Sequence, residues 1–304
     1  MSSSSSSSIT KVALAGATGN LGPAILKQLV DAEFEVTVLT RQSGNDSLPS
    51  AVTVKAVNYD SLDSLTGALQ GQDAVVSTLA SNALDKQLNL IQAAANAHVK
   101  RFIPSEFGGD TLNEKNAVLP VFKDKIAVQD ALKKEAASDR LPFTLIFTGP
   151  FLDWGLMVGF IPALKNKVVS LFDGGDRPFS TTSLATIGKA VVGVLQHLDQ
   201  TKDRAVYVQD TATTVKELAA MGKNSLGPNG WKETVVSVDE LVEQAWAELK
   251  KPQPNPEVFV YNFLIASTSG EGHGGHFQKL DNELLGIKDL SDAELQSLVD
   301  RVAK

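Results

Sequence analysis

Along the first half of the chain, short β-branched runs alternate with stretches whose apolar residues recur every three to four positions. Residues 11–15, 35–39, 52–57, 74–78, 101–104 and 144–148 predict strands. Residues 21–31, 61–69, 85–97 and 114–137 predict helices; in the first, Ile25, Leu26, Leu29 and Val30 share one face. Several of the strands are apolar almost throughout, as a parallel sheet covered on both faces requires. Strand and helix in alternation predict an α/β fold with a doubly wound parallel sheet. Past Phe151 the rhythm loosens. A strand at 168–172, a helix at 183–195 and a strand at 205–208 predict a partial return to the sheet. Helices at 215–221, 238–249, 257–265 and 291–303 follow, interrupted by glycine-rich loops at 227–230 and 267–275. The expected organisation is a disordered Ser-rich tail at 1–8, a nucleotide-binding Rossmann domain at 9–155 with a return at about 181–210, and a smaller, mainly helical substrate-binding region at 156–304.

Composition narrows the function classes. Of the 304 residues, 43% are hydrophobic and 21% charged, enough for a sizeable core. The net charge is −7 and no Lys/Arg run exceeds two residues, so the concentrated basic surface of a nucleic-acid binder is missing. The chain has no cysteine, which excludes disulfides, thiolate metal sites and thiol catalysis. Residues 1–8 lack the basic and apolar regions of a secretory signal. The most membrane-like stretch, 141–164, is broken by Pro142, Gly149, Pro150, Gly155, Gly159 and Pro162, and predicts a buried strand, a loop and a short helix. A soluble cytoplasmic protein without a membrane partner is expected.

The sharpest local signal is Gly16-Ala17-Thr18-Gly19-Asn20-Leu21-Gly22, directly after an apolar strand and opening an amphipathic helix. A helix N-terminus offers free N–H groups and the positive end of its dipole to a pyrophosphate, and glycines let the backbone come close. The end of the second strand selects between dinucleotides. Thr40-Arg41-Gln42-Ser43 stands where an acidic residue would bind a ribose 2′-hydroxyl, and the next carboxylate is Asp46. A guanidinium among hydroxyls suits a 2′-phosphate, so NADP(H) is the expected cofactor. In Asn58-Tyr59-Asp60, Asp60 either accepts from the adenine amino group or caps the helix from Ser61. Thr78 and Leu79 after the fourth strand, and Phe151 after the sixth, are further expected cofactor contacts.

Several catalytic machineries are absent. None of Tyr59, Tyr207 and Tyr261 has a lysine four residues on, and there is no nucleophile elbow, zinc helix or Walker loop. His273 and His276 have loop spacing and suggest a mobile lid rather than a metal site; His98 and His197 read as helix-end surface residues. On the long predicted helix, Val118, Val121/Phe122, Lys125, Val128 and Leu132 form one stripe, with Lys123 and Asp130 on the polar flank. Lys125 in an apolar stripe has two readings. Desolvated beside the cofactor, it would transfer protons near neutral pH; otherwise it snorkels to solvent.

The glycine motif, Val99-Lys100-Arg101-Phe102-Ile103-Pro104-Ser105-Glu106-Phe107-Gly108, and Lys125 before Ile126-Ala127-Val128 resemble the isoflavone reductase-like family. That family includes phenylcoumaran benzylic ether and pinoresinol–lariciresinol reductases and belongs with the NmrA-like atypical short-chain dehydrogenases. Residues 281–287 and 142–155 look like its fungal members, and the resemblance runs from Lys11 to about Ala303. It implies that Arg41 meets the 2′-phosphate and that Lys125 is catalytic. It also implies hydride delivery from NADPH to a double bond or benzylic ether carbon of a phenolic substrate. The sequence departs from the plant enzymes at 148–154. Ser105, Phe107, Trp154 and Met157 are candidate substrate contacts; Phe151, Trp154, Met157 and Phe160 read equally as a pocket wall or as core. The expected function is NADPH-dependent reduction of an aromatic, phenolic or quinone-like small molecule. A quinone oxidoreductase need not use the lysine, and a non-catalytic NADP(H)-binding redox sensor is the competing class. Monomer and homodimer both stay open.

Overall fold

The computed structural model describes residues 8–41 and 48–303. Most of the expected Ser-rich tail, and Gln42, Ser43 and Asp46, lie outside the described residues. The first half follows the predicted rhythm: β1 (Lys11–Ala15), α1 (Gly22–Asp31), β2 (Glu35–Thr40), β3 (Thr53–Ala56), α2 (Leu62–Leu69), β4 (Ala74–Ser77), α3 (Gln87–Asn96) and β5 (Arg101–Ile103). These five strands form one parallel sheet in the order β3-β2-β1-β4-β5. β1 is central, and its residues alternate between two apolar layers. Val12 and Leu14 meet Ile25 and Leu29 of α1, while Ala13 and Ala15 face Leu65, Leu90 and Phe102.

The predicted long helix is divided. α4 (Glu114–Ala117) ends before a 3-10 turn at Pro120–Phe122, and α5 (Lys123–Ala137) starts afresh. Pro120 has no N–H to continue the ladder and drives Leu119 to extended backbone at ψ 129°. Val118 therefore leaves the stripe and is 71% exposed. Phe122, Val128 and Leu132 stay buried.

β6 (Thr144–Phe147) extends the sheet beyond β5 through a bridge between Phe102 and Phe143, with Phe102 N–H donating to Pro142 O at 2.9 Å. After α6 (Leu152–Val158), β7 (Val168–Phe172) and β8 (Phe179–Thr181), α7 (Leu184–Gln196) packs on α1. A Cβ at Gly188 would stand 2.9 Å from Ala24 O, so glycine permits that close approach. α8 (Leu198–Thr201) leads to β9 (Arg204–Tyr207), which pairs parallel with β6 as the expected return to the sheet. Arg101, 2% exposed, ties this extension together through Thr144 Oγ1 (2.7 Å), Thr201 Oγ1 (2.9 Å) and Leu198 O (2.7 Å).

The remaining elements are β10 (Thr211–Thr213), α9 (Val215–Leu226), β11 (Lys232–Val236), α10 (Val238–Leu249), α11 (Pro256–Ser269) and α12 (Asp292–Ala303). One expectation fails here: 168–172 does not rejoin the main sheet. β7 pairs parallel with β11 in a small sheet of its own, and β8 pairs antiparallel with β10. β7 covers the C-terminal apolar cluster of Leu164, Phe179, Leu218, Ile265 and Val299 instead of a parallel core.

Candidate active site at the carboxyl edge of the sheet

The glycine loop joins β1 to α1, and the three glycines have different jobs. Gly16 has φ +85°, and a Cβ there would lie 2.6 Å from Thr78 O. A Cβ on Gly22 would lie 2.2 Å from Gly16 O. Both keep the turn closed on itself. Gly19 is different: a Cβ there would meet nothing nearer than 3.5 Å. Its bareness leaves room outside the protein's own packing. Thr18, Gly19 and Asn20 are exposed at the mouth of the loop, whereas Leu21 and Gly22 are buried. No side chain caps the N-terminus of α1. Such an uncapped turn presents N–H groups and positive potential to an anion.

Thr78 buttresses this loop. Its N–H and Oγ1 both donate to Ala15 O, at 2.8 and 2.9 Å. Leu79 is half-buried and its carbonyl accepts Ser105 Oγ at 2.8 Å, while Ser105 N–H donates to Gln87 Oε1 at 2.8 Å. Arg41 is exposed just past β2, near Tyr59. Burial pushes the Tyr59 phenol up to about 12, opposed by the Arg41 charge. Asp60 pairs with Lys86 at 2.7 Å. It is not the cap of α2: Ser61 Oγ accepts the Ser64 N–H at 3.2 Å and takes that role.

At the carboxyl ends of β5 and β6, the loops converge on Lys125, in the first turn of α5. The Lys125 amine donates to the main-chain carbonyl of Glu106 and lies 5.6 Å from the centre of the Phe122 ring. The neighbouring Gly108 carbonyl accepts the N–H groups of Thr148 and Gly149, each at 3.0 Å. Removal from water pulls the Lys125 amine below the ordinary lysine range, opposed by the charge of Glu106. The Lys125 amine is thus held on a main-chain carbonyl rather than extended along the helix into solvent, as a purely snorkelling lysine would be.

Glu106 is the residue that sequence reasoning missed. It is 1% exposed. Thr111 Oγ1 donates to Glu106 Oε1 at 2.5 Å and accepts from Gln129 Nε2 at 2.6 Å. Burial pushes the Glu106 carboxyl above its ordinary range, opposed by Lys125 and by the Thr111 and Gln129 hydrogen bonds. A carboxylate inside the apolar run 102–108, directly past a buried strand, was the available signal.

The candidate substrate residues separate. Phe107 is buried with the α1–α7 layer. Phe151 and Trp154 meet edge-on with centroids 6.2 Å apart, and Met157 beside them is 58% exposed. Phe160 instead packs on Tyr261 at 5.8 Å, in the C-terminal core. The expected lid is stapled to the α4 segment: His273 Nδ1 pairs with Asn116 Oδ1 at 2.7 Å, and Asn113 and Lys115 donate to the carbonyls of Gly272 and Glu271. Among the described residues, no three His, Asp or Glu side chains converge to hold a metal ion, and no helix is long and apolar enough to cross a membrane.

Comparison with known proteins adds the lineage. The profile of the NmrA-like family matches residues 8–272. The chain belongs to the NmrA-like family. It is 31% identical over 300 residues to the oxidoreductase poxI of Penicillium oxalicum, spanning 95% of this chain and 93% of that one. It is 32% identical to a phenylcoumaran benzylic ether reductase of Pinus taeda, over 85% of this chain and 82% of that one. These relatives make it an oxidoreductase of the isoflavone reductase-like group. Its fold matches leucoanthocyanidin reductase of Vitis vinifera with a TM-score of 0.79 at 19% identity, covering 97% of this chain and 100% of that one.

Proposed function

We propose that this NmrA-like oxidoreductase uses NADPH to reduce an aromatic, phenolic or quinone-like small molecule, with Lys125 moving the accompanying proton. The observation that carries the reading is the desolvated Lys125 amine, held by Glu106 O beside the loops that follow β5 and β6. Three features suit the dinucleotide: the uncapped start of α1, the room at Gly19, and the guanidinium of Arg41 past β2. Gly16–Gly22 would hold the pyrophosphate and Arg41 the 2′-phosphate. Thr78, Leu79 and Phe151 stand at the strand ends that border them, and Asp60 on the adenosine side. When bound, NADPH supplies the hydride. The Vitis reductase has also been solved in complex with NADPH, and a related protein with NADP+ and pinoresinol, which supports both the cofactor and the substrate class. Phe151, Trp154 and Met157 offer an aromatic and apolar surface next to the loop after β6, and we assign residues 156–304 to the substrate side.

The test is Lys125→Met, which keeps the apolar stem and removes the amine. NADPH affinity should change little, while turnover of phenolics, enones or quinones should fall by roughly 10²–10⁴. A Lys125→Met enzyme with full turnover would overturn the role of the lysine. Tight NADPH binding without turnover of any member of that panel would favour a sensor instead.

A further inference from the structure

The Glu106 side chain takes no part in the proposed reaction, yet its placement is unusual. Its side chain is 1% exposed, and Oε2 accepts no hydrogen bond from any described residue. A buried carboxylate with one oxygen unserved carries a large desolvation cost unless a cation lies close. Among the described residues, the cation whose charge acts on it is Lys125, whose amine is anchored on the main-chain oxygen of the same residue. The other carboxyl oxygen is held from α5 through the Thr111–Gln129 relay, so the helix that carries the lysine also orients the acid. Asp110 is the further acid nearby. Its own charge opposes ionisation of Glu106, and its carboxylate accepts Tyr207 Oη at 3.3 Å rather than facing Lys125.

We propose that Glu106 is the positioning residue of this site: its main-chain oxygen holds the Lys125 amine, and its buried carboxyl is the counter-charge that governs how firmly the amine keeps its proton. Without a counter-charge, a desolvated lysine gives up its proton early; with one, the amine holds its proton more firmly. Glu106 thus works through Lys125 and need not touch substrate. Its catalytic consequence rests on the proton-transfer role given to Lys125, but the electrostatic pairing does not.

The experiment reads the pairing directly. In the full chain labelled with 13C at the lysine ε carbons, the Lys125 resonance is identified by its loss in Lys125→Met, and its chemical shift is followed against pH. Glu106→Gln should lower the midpoint of that titration by about 1–3 pH units, the effect of one close opposite charge, while Glu106→Asp should largely restore it. By reciprocity, Lys125→Met should raise the midpoint of the Glu106 carboxyl, read from 13C at its side-chain carboxyl carbon. This second measurement stands even if Glu106→Gln fails to fold. Unmoved midpoints in both experiments would overturn the proposal. Where an active substrate is in hand, the kcat pH profile of Glu106→Gln should shift with the lysine midpoint. If the midpoints move and the profile does not, the pairing holds and the proton-transfer role of Lys125 fails.

Discussion

Gly19→Val should remove NADPH binding from a chain that stays folded, whereas Gly22→Ala should damage the fold itself. A Cβ at Gly19 would meet Gly16 O at 3.5 Å and Thr78 O at 3.9 Å, both ordinary contacts, and the backbone there is not left-handed. Gly19→Ala should therefore leave stability within about 1 kcal/mol of the parent, with a small gain from restricting the unfolded chain. The methyl group instead fills the space through which the backbone must approach a phosphate. Each charge-assisted hydrogen bond lost there is worth about 1.5–3 kcal/mol, so Gly19→Ala should weaken NADPH at least about tenfold, and the bulkier valine beyond measurement. At Gly22 the added carbon would sit 2.2 Å from Gly16 O and 2.6 Å from Ala17 C, and backbone has to move. A cost of roughly 3 kcal/mol is expected, in the range of overpacked sites. With an unfolding entropy of about 2.1 cal/mol/K per residue over 304 residues, that lowers Tm by about 5 °C. Titration calorimetry with NADPH and scanning calorimetry of the same samples separate the two effects. A folded Gly19→Val that binds NADPH as tightly as the parent would refute the reasoning, because the dinucleotide would then lie elsewhere.

Two further outcomes follow from other places in the fold. The parent should prefer NADPH over NADH by at least about tenfold, and Arg41→Glu should reverse the order; equal calorimetric affinities in the parent would remove Arg41 from the site. Asp73 accepts the N–H groups of Thr10 and Lys11, each at 2.9 Å, and Lys100 Nζ at 2.7 Å. Burial alone would raise its carboxyl, but these hydrogen bonds outweigh it and hold the group below the usual carboxylate range. The stabilisation is thus complete above the unfolded pKa of about 4 and is lost as pH falls through the lower native value. Asp73→Asn should cost about 1–3 kcal/mol at pH 7 and flatten the acid limb of stability against pH; an unchanged acid limb would contradict this.

The parallel sheet was legible because its strands are buried on both faces: Val12–Ala15 and Ala74–Ser77 are continuous apolar or small runs, each followed by an amphipathic helix. The glycine loop was legible for a related reason, since a tight turn and a close approach admit few residue types. The pairing of β7 with β11 was not. Lys232–Val236 is largely exposed and opens with Lys-Glu-Thr, so it has no alternating or apolar pattern, and its partner lies some 60 residues earlier. The break at Pro120 was written in the sequence, yet the apolar stripe either side of it favoured one long helix. Lys125 could be picked out from its place in that stripe, but its partner could not. Glu106 reaches it only because the turn after β5 folds back on the first turn of α5, which no local period encodes.

That turn also explains how the candidate site keeps its geometry. Within four residues, Glu106 O holds the Lys125 amine and Gly108 O holds the N–H groups of Thr148 and Gly149. Gly109 lets α11 approach, since a Cβ there would stand 2.3 Å from Ser267 Oγ. The lysine, the loop before Phe151 and the C-terminal helix are all positioned from one short stretch of backbone. That stretch continues β5, which pairs with β4 through Val76 and Ile103; β4 in turn runs into Thr78, the buttress of Gly16. The glycine loop and the lysine are therefore linked through two neighbouring strands of a close-packed sheet. If the proposed assignment holds, changes within residues 156–304 should alter what is held beside Phe151 and Trp154 while leaving Lys125 in place relative to the glycine loop.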